Sequence, residues 1–465
     1  MSWASEELRE LDLGDVRLDL RLMEMIERLA EQCERSVPQA FGSWAEVKAA
    51  YRLWENSCVE WQAILAPHRD QVVRRAAEHP VVLAIQDTTE INLTSRPATT
   101  GLGYLGAPYC RGLLLHTCLA VTPSGLVLGV LDQQIWARPL STLGKSKRRH
   151  QLSTAAKESQ RWLTGLGACG AALADHPQVV VVGDRESDFY DFFVAPRPAH
   201  VELLVRVGHE SRKVELLDTT IQQALAAAPV RGELLVNVPR SGSRRARQAR
   251  LSVRFLSLPC PPPHPRGRDG QLARVPLQWI LVEETSPVAS GKPIRWLLAT
   301  TLPVTKVEEA ARCVEYYARR WTIERFHFTL KSGCQVEERC LESRENLERM
   351  LATMSIVAWR VMWLVSMARE QPDEPCTVIL CEPEWQTLYA VTHRKKPRPL
   401  PAQPPTLREA IRMIGALGGF LGRKGDGEPG LKTVWQGLAR LSDMTTGWLM
   451  HHPPPDASAS NESCG

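Results

Sequence analysis

Apolar residues recur at three- and four-residue intervals from the N-terminus to about residue 75. Leu8, Leu11, Leu18, Leu22, Met25, Ile26 and Leu29 carry the first part of the pattern, and Trp44 to Trp61 continues it. This period predicts helices packed as a small domain over 1–75. From about residue 76 the texture changes. Val81–Ile85, Leu113–Val121, Leu126–Trp136 and Val179–Val182 are apolar, β-branched runs that predict strands, with a helix around Ser153 to Leu166. A mixed sheet follows from them, in an α/β domain spanning 76–370. Alternating segments at Val201–Val207, Leu234–Val238, Arg250–Phe255, Trp279–Glu283 and Ile294–Thr300, with Pro-rich turns at 259–265, predict an inserted all-β subdomain over about 208–300. Helical periodicity returns at Tyr316 and is expected to run on through Asn346 to Arg369. Lys395 to Pro405 is a Pro-rich linker, and Leu407–Phe420 and Leu431–Leu449 form a helical region within 371–450. The Pro-, Ser- and Asp-rich stretch 451–465 is expected to be disordered.

The helix expected at Tyr316 to Gly333 has two faces. Tyr317, Arg320, Glu324 and Lys331 share a polar stripe about 60° wide at 100° per residue. Tyr316, Ile323, Phe326 and Leu330 occupy an arc nearly opposite, so one face can pack while the other lines a cleft. A metal-dependent phosphoryl-transfer site needs carboxylates gathered from distant segments. Two candidates close apolar runs. Asp87 follows Val81–Gln86, and Asp184 follows Val179–Gly183, each where a strand is expected to leave the core. Glu186, Asp188, Asp191 and Asp132 compete. Asp184 ranks first because it comes directly after the run, whereas Glu186 or Asp188 suits a capping role on the next helix.

These residues carry a resemblance. The order Asp87, Asp184, Glu324, with Tyr317, Arg320 and Lys331 around the last acid, resembles the DDE transposases of bacterial cut-and-paste insertion elements. Within them it is similar to the insertion-sequence-four family with its Tyr-Arg-Glu-Lys signature, in the branch of the kanamycin-resistance composite transposon. Leu13-Gly14-Asp15, Ala50-Tyr51-Arg52, Asp87-Thr88-Thr89, Asp184-Arg185-Glu186, Arg295-Trp296-Leu297-Leu298, Asn346-Leu347-Glu348-Arg349-Met350 and Leu417-Gly418-Gly419-Phe420 fall in the family's order, so the likeness covers nearly the whole chain. It implies a ribonuclease-H-like catalytic core with helical N- and C-terminal domains. Asp87, Asp184 and Glu324 would then be the catalytic acids, holding two Mg²⁺ ions, with Mn²⁺ able to substitute. Carboxylates suit these hard cations.

The resemblance also implies the partners: double-stranded DNA, as terminal inverted repeats and target, and a second copy of the chain in a synaptic homodimer formed through 371–450. Arg17, Arg21 and Arg52 become candidates for contacts to the transposon ends. Arg320 and Lys331 are expected to reach DNA phosphates, leaving Arg320 and Glu324 with separate jobs, and Tyr317 to hydrogen-bond to or pack on the DNA backbone. Trp296 matches the family's base-stacking position, used when a hairpin intermediate expels a base. Two positions depart from the closest members: Phe328 stands where a further Lys is found, and Leu18 where an Arg is found.

Composition narrows the alternatives. The 465 residues suffice for two to four domains, 44% hydrophobic content gives ample cores, and a net charge of +5 permits nucleic acid without requiring it. Basic runs at Lys145–His150, Arg244–Arg250 and His393–Arg398 are either phosphate-contacting loops or solvated turns. The twelve cysteines contain no Cys-x2-Cys pair, which points to reduced thiols, and the polar, acidic N-terminus does not look like a secretory signal. A cytoplasmic location is expected, at the bacterial nucleoid when DNA is bound. Two other functions fit the same acids: a nuclease that cuts without joining, and a DNA-binding remnant that has lost chemistry.

Overall fold

The computed structural model describes residues 2–143, 157–214, 218–238, 247–262, 272–286, 292–396 and 398–452. The basic runs Lys145–His150 and Arg244–Arg245 and the tail 453–465 lie outside the described residues. Five helices open the chain: α1 (Trp3–Glu7), α2 (Val16–Glu31), α3 (Val37–Ala40), α4 (Trp44–Glu55) and α5 (Trp61–Ala76). Their starts are written in the sequence. Asp15 caps α2 by accepting from the Arg17 amide, and Ser43 with Glu46 forms a capping box on α4. The periodic apolar residues Leu22, Met25, Ile26 and Leu29 are buried.

Strands β1 (Val82–Asn92), β2 (Gly103–Tyr104), β3 (Arg111–Val121) and β4 (Val127–Trp136) follow. Helix α6 (Gln160–Ala172), strand β5 (Val179–Gly183), the short helix α7 (Tyr190–Val194) and strand β6 (Val201–Arg206) come next. β1 pairs antiparallel with β3 and parallel with β5, and β5 pairs parallel with β6. This mixed sheet agrees with the expected one, with one correction. The first strand does not stop at Ile85 but continues to Asn92, because β3 supplies hydrogen-bonding partners along its whole length, Thr117 opposite Asp87 among them. Asp87 is therefore mid-strand with respect to β3, yet beyond the last pair with β5, Ile85 with Val182.

The next segment adds a small hairpin, β7 (Lys213–Val214) with β8 (Thr219–Thr220), and helix α8 (Ile221–Ala227). Strands β9 (Gly232–Val238), β10 (Arg247–Cys260), β11 (Val275–Glu284) and β12 (Arg295–Thr300) form an antiparallel ladder. These strands do not stand apart from the central sheet. β12 pairs with β6 through Leu298 and Arg206, so among the described residues ten strands run in one sheet ordered β2-β3-β1-β5-β6-β12-β11-β10-β9, with β4 on β3.

Helix α9 (Val307–Ala318) precedes α10 (Trp321–Phe328). The single helix expected over 316–333 is thus interrupted. Arg319 and Arg320 keep right-handed helical backbone angles, but the Arg320 amide donates to Tyr317 O, tightening one turn. After α10, a π-helical turn at Thr329–Gly333 closes with Cys334 N donating to Thr329 O, and Gln335 takes a left-handed φ of 50°. The expected run-on to Arg369 is broken there. Helix α11 (Arg344–Glu370) starts afresh on the Ser343 cap. By length and composition α11 could cross a membrane, but 89% of its apolar window is buried inside the protein, as befits a core helix.

Helices α12 (Glu382–Thr392), α13 (Leu407–Leu417) and α14 (Leu431–His451) are the last among the described residues. α14 lies against α2: Arg35 ion-pairs with Asp443 at 2.5 Å, and Ser442 Oγ donates to Glu31. A second polar knot joins the head to the core. His68 Nδ1 donates to Glu7 at 2.5 Å while its Nε2 accepts from the Val130 amide, which fixes a neutral tautomer. Gly129, at φ +143°, makes room, since a Cβ there would lie 2.8 Å from His68 Nε2. Arg75 also binds Glu7, at 2.7 Å. Burial works to raise the Glu7 pKa, but the His68 and Arg75 contacts outweigh it and hold the carboxyl at about 2.

Candidate active site

The β1–β5 register brings two acids side by side. Ile85 pairs with Val182, so two steps further along each parallel strand Asp87 comes level with Asp184, on the same face as the last pair. Asp184 leaves the sheet into a tight turn, Arg185–Ser187, and its Oδ1 accepts from the Glu186 amide at 2.8 Å. The capping role expected of Glu186 or Asp188 thus falls to Asp184, the first polar side chain after the strand. Asp188 is instead buried, accepting from the Gly208 and His209 amides at 2.8 and 2.9 Å and pairing with Arg212 at 2.7 Å. Glu186 pairs with Arg161, and Asp132 accepts from Gln134 at 3.2 Å. Asp191 lies on α7.

Glu324 reaches this edge from α10. Arg320, one turn before it, donates to Asp87 Oδ2 at 3.2 Å and also ion-pairs with Glu324. The expectation that Arg320 and Glu324 work apart is corrected: the guanidinium bridges two of the three acids, because it is the positive group placed between converging carboxylates. Across the helix break Arg320 still lies near Tyr317 and Glu324, whereas Lys331 falls on the π-helical turn that follows α10. Burial first, then the charge of Asp184, push the Asp87 carboxyl up to about 6; Arg320 and the Thr88 amide oppose this, and Glu324 adds to it. The charges of Asp184 and Glu324 are thus both felt at Asp87.

Tyr317 is buried, and its ring meets Trp296 edge-on at 5.2 Å between centroids. Burial raises its phenol pKa, while Arg320 and Arg206 pull the other way. Trp296 is half-buried on β12. Lys331 departs from expectation. Its Nζ donates to Glu90 O at 2.9 Å and lies 3.4 Å from Glu337, contacts to the protein itself. Phe328 is exposed and its ring packs on Trp435 at 5.6 Å. Arg17, Arg21 and Arg52 stand on α2 and α4. Arg17 and Arg52 are exposed and Arg21 is half-buried, and Arg17 pairs with Asp15 at 2.6 Å. Of the basic runs, Arg247 pairs with Glu284, and Arg250 with Glu233 at 3.0 Å.

Sequence reasoning missed a second cation. Arg161, on α6, donates to Thr88 Oγ1 at 2.7 Å; burial lowers its pKa while Glu186, Glu158 and Asp184 draw it up. Behind it, His116 Nδ1 contacts Thr88 Oγ1 at 2.9 Å and its Nε2 lies 3.0 Å from Gln86 Oε1. Burial, then Arg161 and His327, keep His116 neutral. Arg161 belongs to no motif that separates it from an ordinary helix arginine. Only the pairing of Thr88 with His116 across β1 and β3 shows that this row backs the acid edge.

Among the described residues no group of three or more His, Cys, Asp and Glu side chains is gathered tightly enough to hold a metal ion as it stands. The donor chemistry nevertheless fits a hard divalent cation. Asp87, Asp184 and Glu324 offer only carboxylate oxygens, and burial first, then the charges of Asp184 and Glu324, work against a charged Asp87, a penalty that a bound cation would offset.

Three family models match the chain: transposase DNA-binding over 1–59, transposase DDE domain over 78–360, and transposase Tn5 dimerisation domain over 356–450. A cryo-EM structure of a piggyBac transposase synaptic complex with hairpin DNA is also similar, at 9% identity over 98% of this chain and 79% of that one. Its TM-score is 0.37. A DDE domain implies a divalent-metal requirement, generally Mg²⁺. The DDE model spans more than half of the chain and is flanked by DNA-binding and dimerisation models, so this protein belongs to the DDE transposases.

Proposed function

We propose that the chain carries out cut-and-paste DNA transposition on a ribonuclease-H-like core, with Asp87, Asp184 and Glu324 as its catalytic acids. The observation that supports this reading best is the register of β1 and β5, which levels Asp87 with Asp184, together with the Arg320 bridge from Asp87 to Glu324. These carboxylates would hold two Mg²⁺ ions, for which Mn²⁺ can substitute; such ions supply Lewis-acid stabilisation of the charge that develops on a reacting phosphodiester. Arg320 holds two of the acids in position and offers positive charge to the scissile phosphate. Tyr317 stiffens this wall by packing on Trp296.

The reaction is a series of in-line displacements. Water attacks phosphorus at the element's end, the P–O3′ bond breaks, and a 3′-hydroxyl is freed. That hydroxyl attacks the opposite strand to give a hairpin, releasing the flanking DNA. Water reopens the hairpin, and the same 3′-hydroxyl then joins target DNA. Trp296 is the surface for the base that a hairpin expels, and Trp296→Ala should spare first-strand nicking while reducing hairpin formation. Equal loss of both steps would make Trp296 purely structural. In the helical head (1–75), Arg17, Arg21 and Arg52 contact the terminal repeats. The helical region 371–450 pairs two protomers. Lys331 would have to leave Glu90 and Glu337 to reach a phosphate.

The test uses a duplex built from DNA flanking the coding region, a supercoiled target plasmid and Mg²⁺. Joined products are expected. Cleavage without joining would replace transposition by nuclease action, and neither product with intact DNA binding would point to a remnant.

A further inference from the structure

A cavity of about 190 Å³ opens on the opposite side of α10 from Glu324. Arg319, Thr322 and Arg325 line it from the α9–α10 segment, Ser124 from the turn between β3 and β4, and Arg369 and Glu370 from the end of α11. At 100° per residue, Arg325, Thr322 and Arg319 lie about 100°, 160° and 220° from Glu324, so they share the face turned away from the acids.

Among the described residues none of these arginines is in an ion pair, and backbone carbonyls fix two of them. Arg319 Nε donates to Pro123 O at 2.7 Å, and Arg369 Nη2 donates to Pro429 O at 3.3 Å. A carbonyl fixes a guanidinium and leaves its charge in place. Gly125, at φ +113°, gives Arg319 its room, since a Cβ there would lie 3.1 Å from Nη1. Burial and the like charge of Arg369 both work against the charged form of Arg325. Glu428, whose charge reaches Arg369, is already bound by Arg412 at 2.8 Å and lies 3.8 Å from Arg408. Among the described residues three guanidiniums therefore face one lining carboxylate, Glu370, beside the hydroxyls of Ser124 and Thr322. Planar guanidiniums in this company suit a tetrahedral oxyanion, which they can grip with paired N–H donors.

We propose that this cleft binds a backbone phosphate of DNA, as a contact separate from the acid cluster on the other face of the same helix. The proposal rests on DNA being the substrate.

The test takes the full chain with Arg325→Gln and Arg369→Gln combined, and measures binding of two fluorescein-labelled duplexes of unrelated sequence over a series of KCl concentrations. Affinity should fall several-fold and about equally for both duplexes, and the slope of log affinity against log salt should become shallower by about one. Ser124→Asp, which adds a carboxylate and removes no arginine, should weaken both duplexes likewise. Unchanged affinity and slope in both variants would overturn the proposal. Melting in inorganic phosphate at constant ionic strength separates the other source. A phosphate-dependent stabilisation that the double variant loses, with DNA affinity unchanged, would also overturn DNA as the ligand. A wild-type protein that binds no duplex would instead sink the transposition reading.

Discussion

Helix α10 has arginines next to both of its faces, in opposite company. On the acid side, Arg320 is bound to Asp87 and Glu324 and its charge is more than matched. On the far side, Arg319 and Arg369 are fixed by neutral carbonyls, and the charge that Arg325 meets is another arginine's. The lesson is that residue type and helical spacing do not say what an arginine is for. A compensated guanidinium positions carboxylates, whereas an uncompensated cluster calls for an anion from outside.

The largest effect expected from breaking this contrast is at Arg320. Arg320→Gln leaves Asp87 and Glu324 facing each other and removes positive charge from the scissile phosphate, so single-turnover cleavage should fall roughly 10²-fold. Duplex affinity should change only a few-fold. If affinity and cleavage fall together, Arg320 acts as a plain DNA contact and the contrast fails.

Two buried carboxylates sharpen the distinction between site and scaffold through opposite signs. Glu7 sits at about 2 against an ordinary 4.5, so its stabilisation is fully present above pH 4.5 and is lost as pH falls toward 2. Glu7→Gln should cost on the order of 3 kcal/mol at pH 7, and the gap from wild type should close in acid melts across that window. Asp87 is raised to about 6 against 3.8, so in the metal-free protein it costs stability above pH 6, a cost that fades as pH falls toward 3.8. Asp87→Asn should therefore melt higher than wild type at pH 7.5 in chelator, with the difference shrinking by pH 4. A lower melting temperature at pH 7.5 would mean that the Arg320 pair outweighs the like charges.

The smallest effect belongs to the far face, where loss of Arg325 and Arg369 should alter the salt dependence of DNA binding by about one contact. Cleavage of bound DNA by that variant should stay within a few-fold of wild type, as measured under single-turnover conditions at saturating protein.

Much of this was legible in the chain. The periodic leucines of α2 and the buried runs of β1, β3 and β5 follow from patterning, which responds to burial. What patterning missed depends on partners distant in sequence. Asp87 looked like a strand end because polarity begins there, but β3 extends the strand to Asn92. The break after Ala318 involves no proline or glycine and arises from one tightened turn. The Arg320 bridge required knowing that Asp87 arrives from 233 residues away. Lys331 looked available for DNA only until Glu90 and Glu337 were brought next to it.

In the proposed mechanism Asp87, Asp184 and Glu324 act as one cluster. Its most direct test is single-turnover nicking of a terminal-repeat duplex in Mg²⁺ by Asp87→Asn, Asp184→Asn and Glu324→Gln, with duplex binding measured in parallel. Each variant should bind within a few-fold of wild type and nick at least ~10³-fold more slowly, and combining two changes should cost little more than one, as expected of residues that act as a unit. A variant among the three that nicks at the wild-type rate would contradict the account.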